Sequence, residues 1–160
     1  MNLINLIDKY NKIIDNLYIG NYQSPKDEEF LKSKNIKLII NCTKSYTYDV
    51  NDNINIIRLN ITDLNSPENN IIIASNIDKI LEIINIYLAS DEGVLVHCHM
   101  GQQRSAMVVT CYLIKYLNLR LNKAIKKVKK YRKLAFIPEI TFNDFLKYYE
   151  IENSQTEQNN

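Results

Sequence analysis

Val94-Leu95-Val96-His97-Cys98-His99-Met100-Gly101-Gln102-Gln103-Arg104-Ser105 is the stretch from which the rest of the chain is read. It begins as an apolar run with no polar side chain on either face, the pattern of a strand covered on both sides. It leads into Ser105 to Leu117, which is apolar almost all round and reads as a buried helix. Between them lie both histidines of the chain and one of its three glycines. A loop from a buried strand to a helix N-terminus presents converging backbone N–H groups and the positive end of the helix dipole, which makes it an anion site. Gly101 permits the tight bend. Arg104, separated from Cys98 by five residues, can curl back to hold two oxygens of a tetrahedral anion.

The flanking sequence supplies the frame. Leu3, Leu6, Ile7, Tyr10, Ile13 and Ile14 recur at steps of three and four, so residues 1–14 read as an amphipathic helix, with a homodimer contact as its alternative use. Leu17 to Ile19 reads as a strand closed by Gly20. Ser24-Pro25 signals a helix start, with Asp27, Glu28 and Glu29 in its first turn and an end near Lys32. Lys37 to Asn41 and Ile54 to Leu59 have strand composition and length. Ser66-Pro67-Glu68 caps a long helix whose inward face is read as Ile71, Ala74, Ile77, Leu81, Ile84 and Leu88. Beyond the buried helix, Leu121 to about Lys133 turns Leu121, Ile125, Val128 and either Tyr131 or Arg132 inward. A last helix follows Pro138, with Phe142, Phe145, Leu146 and Tyr149 facing the core. Strands alternating with helices predict an α/β fold, a three-layer sandwich with a mainly parallel central sheet flanked by helices. The catalytic unit is expected over 15–151, with 152–160 a disordered polar tail.

The chemistry follows from the loop. Thiols at helix starts beside cations ionise well below the free value of ~8.5. A thiolate facing bound phosphate at Cys98 is placed for in-line attack, giving a cysteinyl-phosphate without a metal or other cofactor. Ser105 can hydrogen-bond the sulfur as it leaves. The departing oxygen needs a proton from a carboxylic acid on another loop. Asp63, just after the strand that ends at Leu59, is the candidate, with Asp49 and Asp52 as fallbacks. His97 and His99 flank the cysteine but supply too few ligands for a metal site. His97 is read as a loop brace and His99 as part of the pocket rim. Cys42, beside Asn41 at a strand end, is a candidate for a protective disulfide with Cys98.

These residues resemble the His-Cys-five-residues-Arg-Ser signature of the protein tyrosine phosphatase superfamily, and the domain size resembles its dual-specificity branch. Leu17-Tyr18-Ile19-Gly20-Asn21, Leu38-Ile39-Ile40-Asn41, the strand leading to Asp63, and Ile137-Pro138 with Phe142, Phe145 and Leu146 agree, so the resemblance covers about residues 15 to 150. Tyr18 to Tyr22 and Asn53 to Ile57 look most like the poxvirus virion phosphatases. The resemblance implies a phosphatase fold and removal of phosphate from phosphotyrosine, phosphoserine and phosphothreonine in proteins through a shallow pocket. It also implies Cys98 as nucleophile and Asp63 as general acid then base. Ser105 assists the sulfur, and His99, Met100, Gly101, Gln102, Gln103 and Arg104 bind phosphate, with His97 and Asn41 in support. Met100 and Ala106 depart from the family pattern, in which small residues and Gly respectively are common; neither removes a catalytic group.

Composition sets the outer bounds. The chain has 160 residues and 18.8 kDa, 46% hydrophobic and 24% charged, enough for one core without disulfides. The longest aliphatic run, Ile71 to Ala74, is far short of the ~20 residues of a membrane span. Met1 to Asp8 carries Asn and Asp where a secretion signal has basic residues and then an apolar run. Three cysteines, odd and widely spaced, predict reduced thiols in a cytoplasm-like compartment, which for a viral source is the host cytoplasm or virion. The 25 Ile, 22 Asn and 16 Lys read as an AT-rich genome.

The formal charge of +2 hides an asymmetry: ten Lys and Arg and no acid fall between Glu92 and Glu139. The lysine-rich helix 121–133 is read first as a solvated face and second as a docking surface for an acidic partner; neither DNA nor a membrane span is indicated. Two further readings of the whole chain are a phosphate-binding pseudophosphatase module and an RNA 5′-phosphatase. Retention of Cys98, Arg104 and Asp63 argues against the first, and the absence of aromatics alternating with the basic residues argues against RNA.

Overall fold

The computed structural model describes residues 8–158, with side chains through 154. Among these residues the order is β1 (Tyr10–Ile14), β2 (Leu17–Gly20), α1 (Glu28–Ser33), β3 (Ile36–Asn41), β4 (Asn55–Arg58), α2 (Pro67–Ala89), β5 (Gly93–His97), α3 (Arg104–Leu117), α4 (Leu121–Tyr131) and α5 (Asn143–Gln158). The sheet runs β1-β2-β5-β3-β4. β5 lies between β2 and β3 and is parallel to both, β4 is parallel to β3, and β1 alone is antiparallel. The expected sandwich is therefore present, its sheet mainly parallel.

Period-two alternation divides the core. Leu17, Ile19, Leu38, Ile40, Val94 and Val96 point into a large cluster shared with α2, α3, α4 and α5. Tyr18, Ile39 and Leu95 point the other way, onto Phe30 and Leu31 of α1. Every residue of β5 is buried, so the strand leading to Cys98 is held from both faces and both edges. Among the described residues, no helix is long and apolar enough to cross a membrane.

Four local expectations are corrected. The helix read over 1–14 is not formed at 10–14, which are β1; residues 1–7 lie outside the described residues. β1 turns back at Asp15-Asn16, where Asn16 adopts a left-handed φ of 62°, and pairs with β2 through an irregularity between Lys12 and Ile14. That irregularity breaks the alternation of two, so the apolar spacing mimics a helix. The homodimer contact based on a helix here loses its basis at 10–14. The capping signal at Ser24 makes only a 3-10 turn; α1 starts later, with the Asp27 side chain accepting from Phe30 N–H at 3.0 Å.

On α2 the buried stripe is Ile73, Ile77, Ile80, Leu81 and Ile84, while Ile71 is 67% exposed. The run Ile71-Ile72-Ile73 suits either face, and only packing against the sheet chooses. Finally, α5 continues through 152–158, read as a disordered tail. Within it the Asn153 amide donates to Tyr149 O at 2.9 Å and the Ser154 hydroxyl to Glu150 O at 2.8 Å.

The stripe on α2 is testable by urea denaturation. Ile73→Ala is expected to cost about 2–5 kcal/mol, whereas Ile71→Ala should stay within about 0.5 kcal/mol of wild type. Equal losses would return the inward face to Ile71.

Candidate active site

β5 ends at His97, and the next six residues curl beneath the first turn of α3. Cys98 is 2% exposed. Its Sγ accepts from Gly101 N–H at 3.2 Å and lies 3.3 Å from Ser105 Oγ. α3 has no side-chain cap at its N-terminus and no acid in its first turn, so its free N–H groups and dipole are left for an anion. Arg104 Nε is buried with no hydrogen-bond partner among the described residues, a donor suited to a tetrahedral oxyanion. Gly101 sits at φ +68°, and a Cβ there would meet Arg132 and the carbonyl of Gly20 at 2.6 Å, so no other residue fits without displacement.

Arg132 was one of two alternatives for a core position of α4, and its role was not legible in the sequence. It is 2% exposed. Its guanidinium donates to Gly101 O at 3.1 Å, Met100 O at 3.0 Å, Asp8 O at 2.6 Å and Asn11 Oδ1 at 2.8 Å. Carbonyls of the loop are thereby drawn outward, away from the sulfur, while the amide of Gly101 faces it. Burial lowers the pKa of the Arg132 guanidinium, and its electrostatic interactions with Cys98 and Asp8 oppose that shift. The only earlier signal was a basic residue at the helical spacing of Leu121, Ile125 and Val128.

His97 lies fully buried behind the loop. Burial depresses its pKa to about 4, against the opposing effect of its contact with the Cys98 carbonyl. Tyr48 Oη lies 2.6 Å from His97 Nε2, and burial raises that phenol. The neutral ring accepts from Tyr48 and donates from Nδ1 to Cys98 O at 3.3 Å. Cys42 is fully buried beside it, its N–H on His97 O at 2.8 Å; burial pushes its thiol well up, and all three cysteines are free.

Asp63 stands on the loop after β4, close enough for the Arg104 charge to act on it. Burial raises its carboxyl pKa, and Arg104 partly offsets this. Asn69, near the start of α2 and 4% exposed, ties that loop down on both sides of Asp63. It accepts from Thr62 N–H at 3.2 Å and donates to Thr62 O at 3.1 Å and Leu64 O at 2.7 Å. Nothing in the sequence marked Asn69. Asp49 and Asp52 are exposed on the loop between β3 and β4, and Asp49 lines a groove with Pro25 and Lys26.

Other supporting residues sit differently from expectation. Asn41 holds Thr43, through its N–H at 3.1 Å and hydroxyl at 2.6 Å, and Tyr46 O at 3.0 Å; it braces the loop after β3 instead of the cysteine loop. Gln103 turns its amide outward to Glu139 O at 2.7 Å and Thr141 N–H at 3.1 Å, leaving only its backbone to the loop. Gln102 O accepts from Phe136 N–H at 2.8 Å. His99 and Met100 are exposed at the rim. His99 stacks on Tyr22 with centroids 4.8 Å apart.

The family described as "Dual specificity phosphatase, catalytic domain" matches residues 17–152. A Dictyostelium discoideum protein named "Probable dual specificity protein phosphatase" is 35% identical over 147 residues, covering 85% of this chain and 60% of that protein. The dual specificity protein phosphatase OPG106 of Vaccinia virus is 29% identical over 103 residues, covering 64% of this chain and 57% of that one. The chain thus spans about three fifths of the length of these two relatives. The crystal structure of human DUSP28 superposes with a TM-score of 0.83 at 22% identity, covering 92% and 96% of the two chains, a likeness of fold. The chain belongs to the dual-specificity phosphatase family, within the cysteine-dependent protein tyrosine phosphatase superfamily. The resemblance read from the loop is borne out, the poxvirus likeness included.

Two outcomes follow from the buttresses. With His97 depressed to about 4 against ~6.5 when unfolded, its contribution is complete above about pH 6.5 and lost as pH falls toward 4. Stability should fall by up to about 3 kcal/mol through that window. In His97→Asn, urea melts across pH 4–7 should show a shallower fall; an unchanged slope would mean that His97 is not buried neutral. Arg132→Lys should lose about 3 kcal/mol and bind tungstate more weakly, because one ammonium cannot reach Gly101 O, Met100 O and Asp8 O together. Wild-type stability and tungstate affinity in that variant would remove the clamp.

Proposed function

We propose that the chain hydrolyses phosphotyrosine, phosphoserine and phosphothreonine esters in proteins through a cysteinyl-phosphate formed on Cys98. The observation that carries this reading is the Cys98 sulfur held between Gly101 N–H and Ser105 Oγ at an uncapped helix start, with the Arg104 Nε donor free beside it. In the first step the thiolate attacks phosphorus in line. The P–O ester bond breaks as Asp63, a carboxylic acid, gives its proton to the leaving oxygen. In the second step water attacks the phosphorus and Asp63, now a carboxylate, takes the water proton. The S–P bond breaks with Ser105 hydrogen-bonded to the departing sulfur, and Arg104 and the backbone amides of 99–104 hold the equatorial oxygens throughout.

Two further elements extend the reading. The reduced thiols support a cytoplasm-like compartment, host cytoplasm or virion for a viral source. The exposed lysines of α4, opposite its buried Leu121, Ala124 and Val128, support docking of an acidic partner.

Hydrolysis of a small aryl phosphate in excess EDTA across pH 5–8 tests the chemistry. Wild type should turn over and Cys98→Ser should not. Asp63→Asn should lose about 10²–10⁴-fold in kcat while keeping vanadate affinity. Because burial raises the Asp63 pKa, the acid form persists to higher pH; kcat should fall on the alkaline side, and that limb should vanish in Asp63→Asn. A wild-type chain that binds vanadate without turnover would instead establish the pseudophosphatase reading.

A further inference from the structure

A rigid aromatic lip rises beside the catalytic loop. Tyr22 N–H donates to His99 O at 2.9 Å, Tyr22 stacks on the His99 ring, and Tyr46 Oη donates to Tyr22 O at 2.7 Å. The Tyr22 and Tyr46 rings meet edge to face at 6.2 Å. Lys26 follows the buried Ser24 and Pro25 in the 3-10 turn, and its Nζ stands 5.8 Å from both ring centroids.

What distinguishes Lys26 among the described lysines is that its ammonium stands over two rings at once. The neighbouring carboxylate, Asp27, is engaged by Lys9 at 2.9 Å. Arg58 donates to Thr43 O and Tyr46 O at 2.8 Å each. Among the described residues Lys26 Nζ has neither a carboxylate nor a carbonyl partner, only two ring faces that steady it and leave its charge open. Lys26 also begins an open groove of about 780 Å³, with Lys32 and Lys37 on its wall over Leu31 and Val50. Glu28 and Asp49 share that wall, leaving the lysines in excess.

We infer that Lys26, held on the Tyr22–Tyr46 lip, is a specificity subsite for an anionic side chain of the substrate, near the phosphorylated residue in the same peptide. The inference rests on the phosphatase reading for its substrate. A carboxylate and a second phosphoryl group present the same chemistry to an ammonium.

The experiment compares phosphopeptides that differ only in one side chain, Glu, phosphoserine or Ala, placed at each position from three before to three after the phosphorylated residue. The readout is the ratio of kcat/KM for the anionic peptide to that for its Ala counterpart within each protein. In wild type one spacing should give a ratio of about fivefold, the size of an exposed ion pair, falling toward one at high salt. Lys26→Met should bring the ratio to one, and Lys26→Glu should invert it. A larger ratio for phosphoserine than for Glu would identify doubly phosphorylated segments as the favoured source. An unchanged ratio in both variants, or no preference at any spacing, would overturn the subsite. If wild type turns nothing over, the same ratios are read as Kd on Cys98→Ser protein, so that failure of the phosphatase reading and failure of the subsite give different results.

Discussion

A buried guanidinium whose hydrogen bonds, among the described residues, all go to carbonyl oxygens governs this candidate site. Arg132 is satisfied by carbonyl oxygens, two of them from the cysteine loop. A buried cation must have its donors filled, so those carbonyls are drawn outward and the loop is held in the curl whose Gly101 amide faces Cys98. Gly101 is the corresponding concession in the backbone: its missing Cβ leaves room for the guanidinium and its positive φ turns the chain. The same side chain gathers Asp8 and Asn11, so the segment ahead of the family match is tied to the loop from outside.

Around that clamp the structure separates filled from open groups. His97 and Tyr48 satisfy each other behind the loop, and burial holds the imidazole neutral. Asn69 fills the backbone groups on either side of Asp63. Gln103 is drawn off to the 137–141 segment. Open groups remain at Arg104 Nε and at the first turn of α3, both aimed where a tetrahedral anion would sit. Lys26 stands at the rim as a cation steadied by two rings, with no ion pair among the described residues.

Much of this was legible in the linear order. The run Val94–Val96, the loop with Cys98 and Arg104, and the apolar helix after it placed a strand, an anion site and a buried helix in sequence, because each signal is local. Asp63 was a candidate because of its position after a strand. Arg132 and Asn69 were not found, although one touches the cysteine loop and the other orders the Asp63 loop. Their partners lie 31 residues away for Arg132 to Gly101, and in backbone atoms, which carry no residue-type signature. The expected role of Asn41 failed for a similar reason: an Asn at a strand end has two loops within reach, and its amide chose Thr43 and Tyr46.

The sequence by itself determined the α/β alternation, the central buried strand and the cysteine-bearing loop, since periodicity and chain-neighbour chemistry are enough for features that span a dozen residues. Tertiary structure alone decided that residues 10–14 join the sheet, that Ile73 and not Ile71 faces inward on α2, and that an arginine 34 positions beyond Cys98 shapes its loop. In each of these the local preference was balanced between two states, and the balance was tipped by a strand edge, a sheet face or a set of carbonyls brought from elsewhere in the chain.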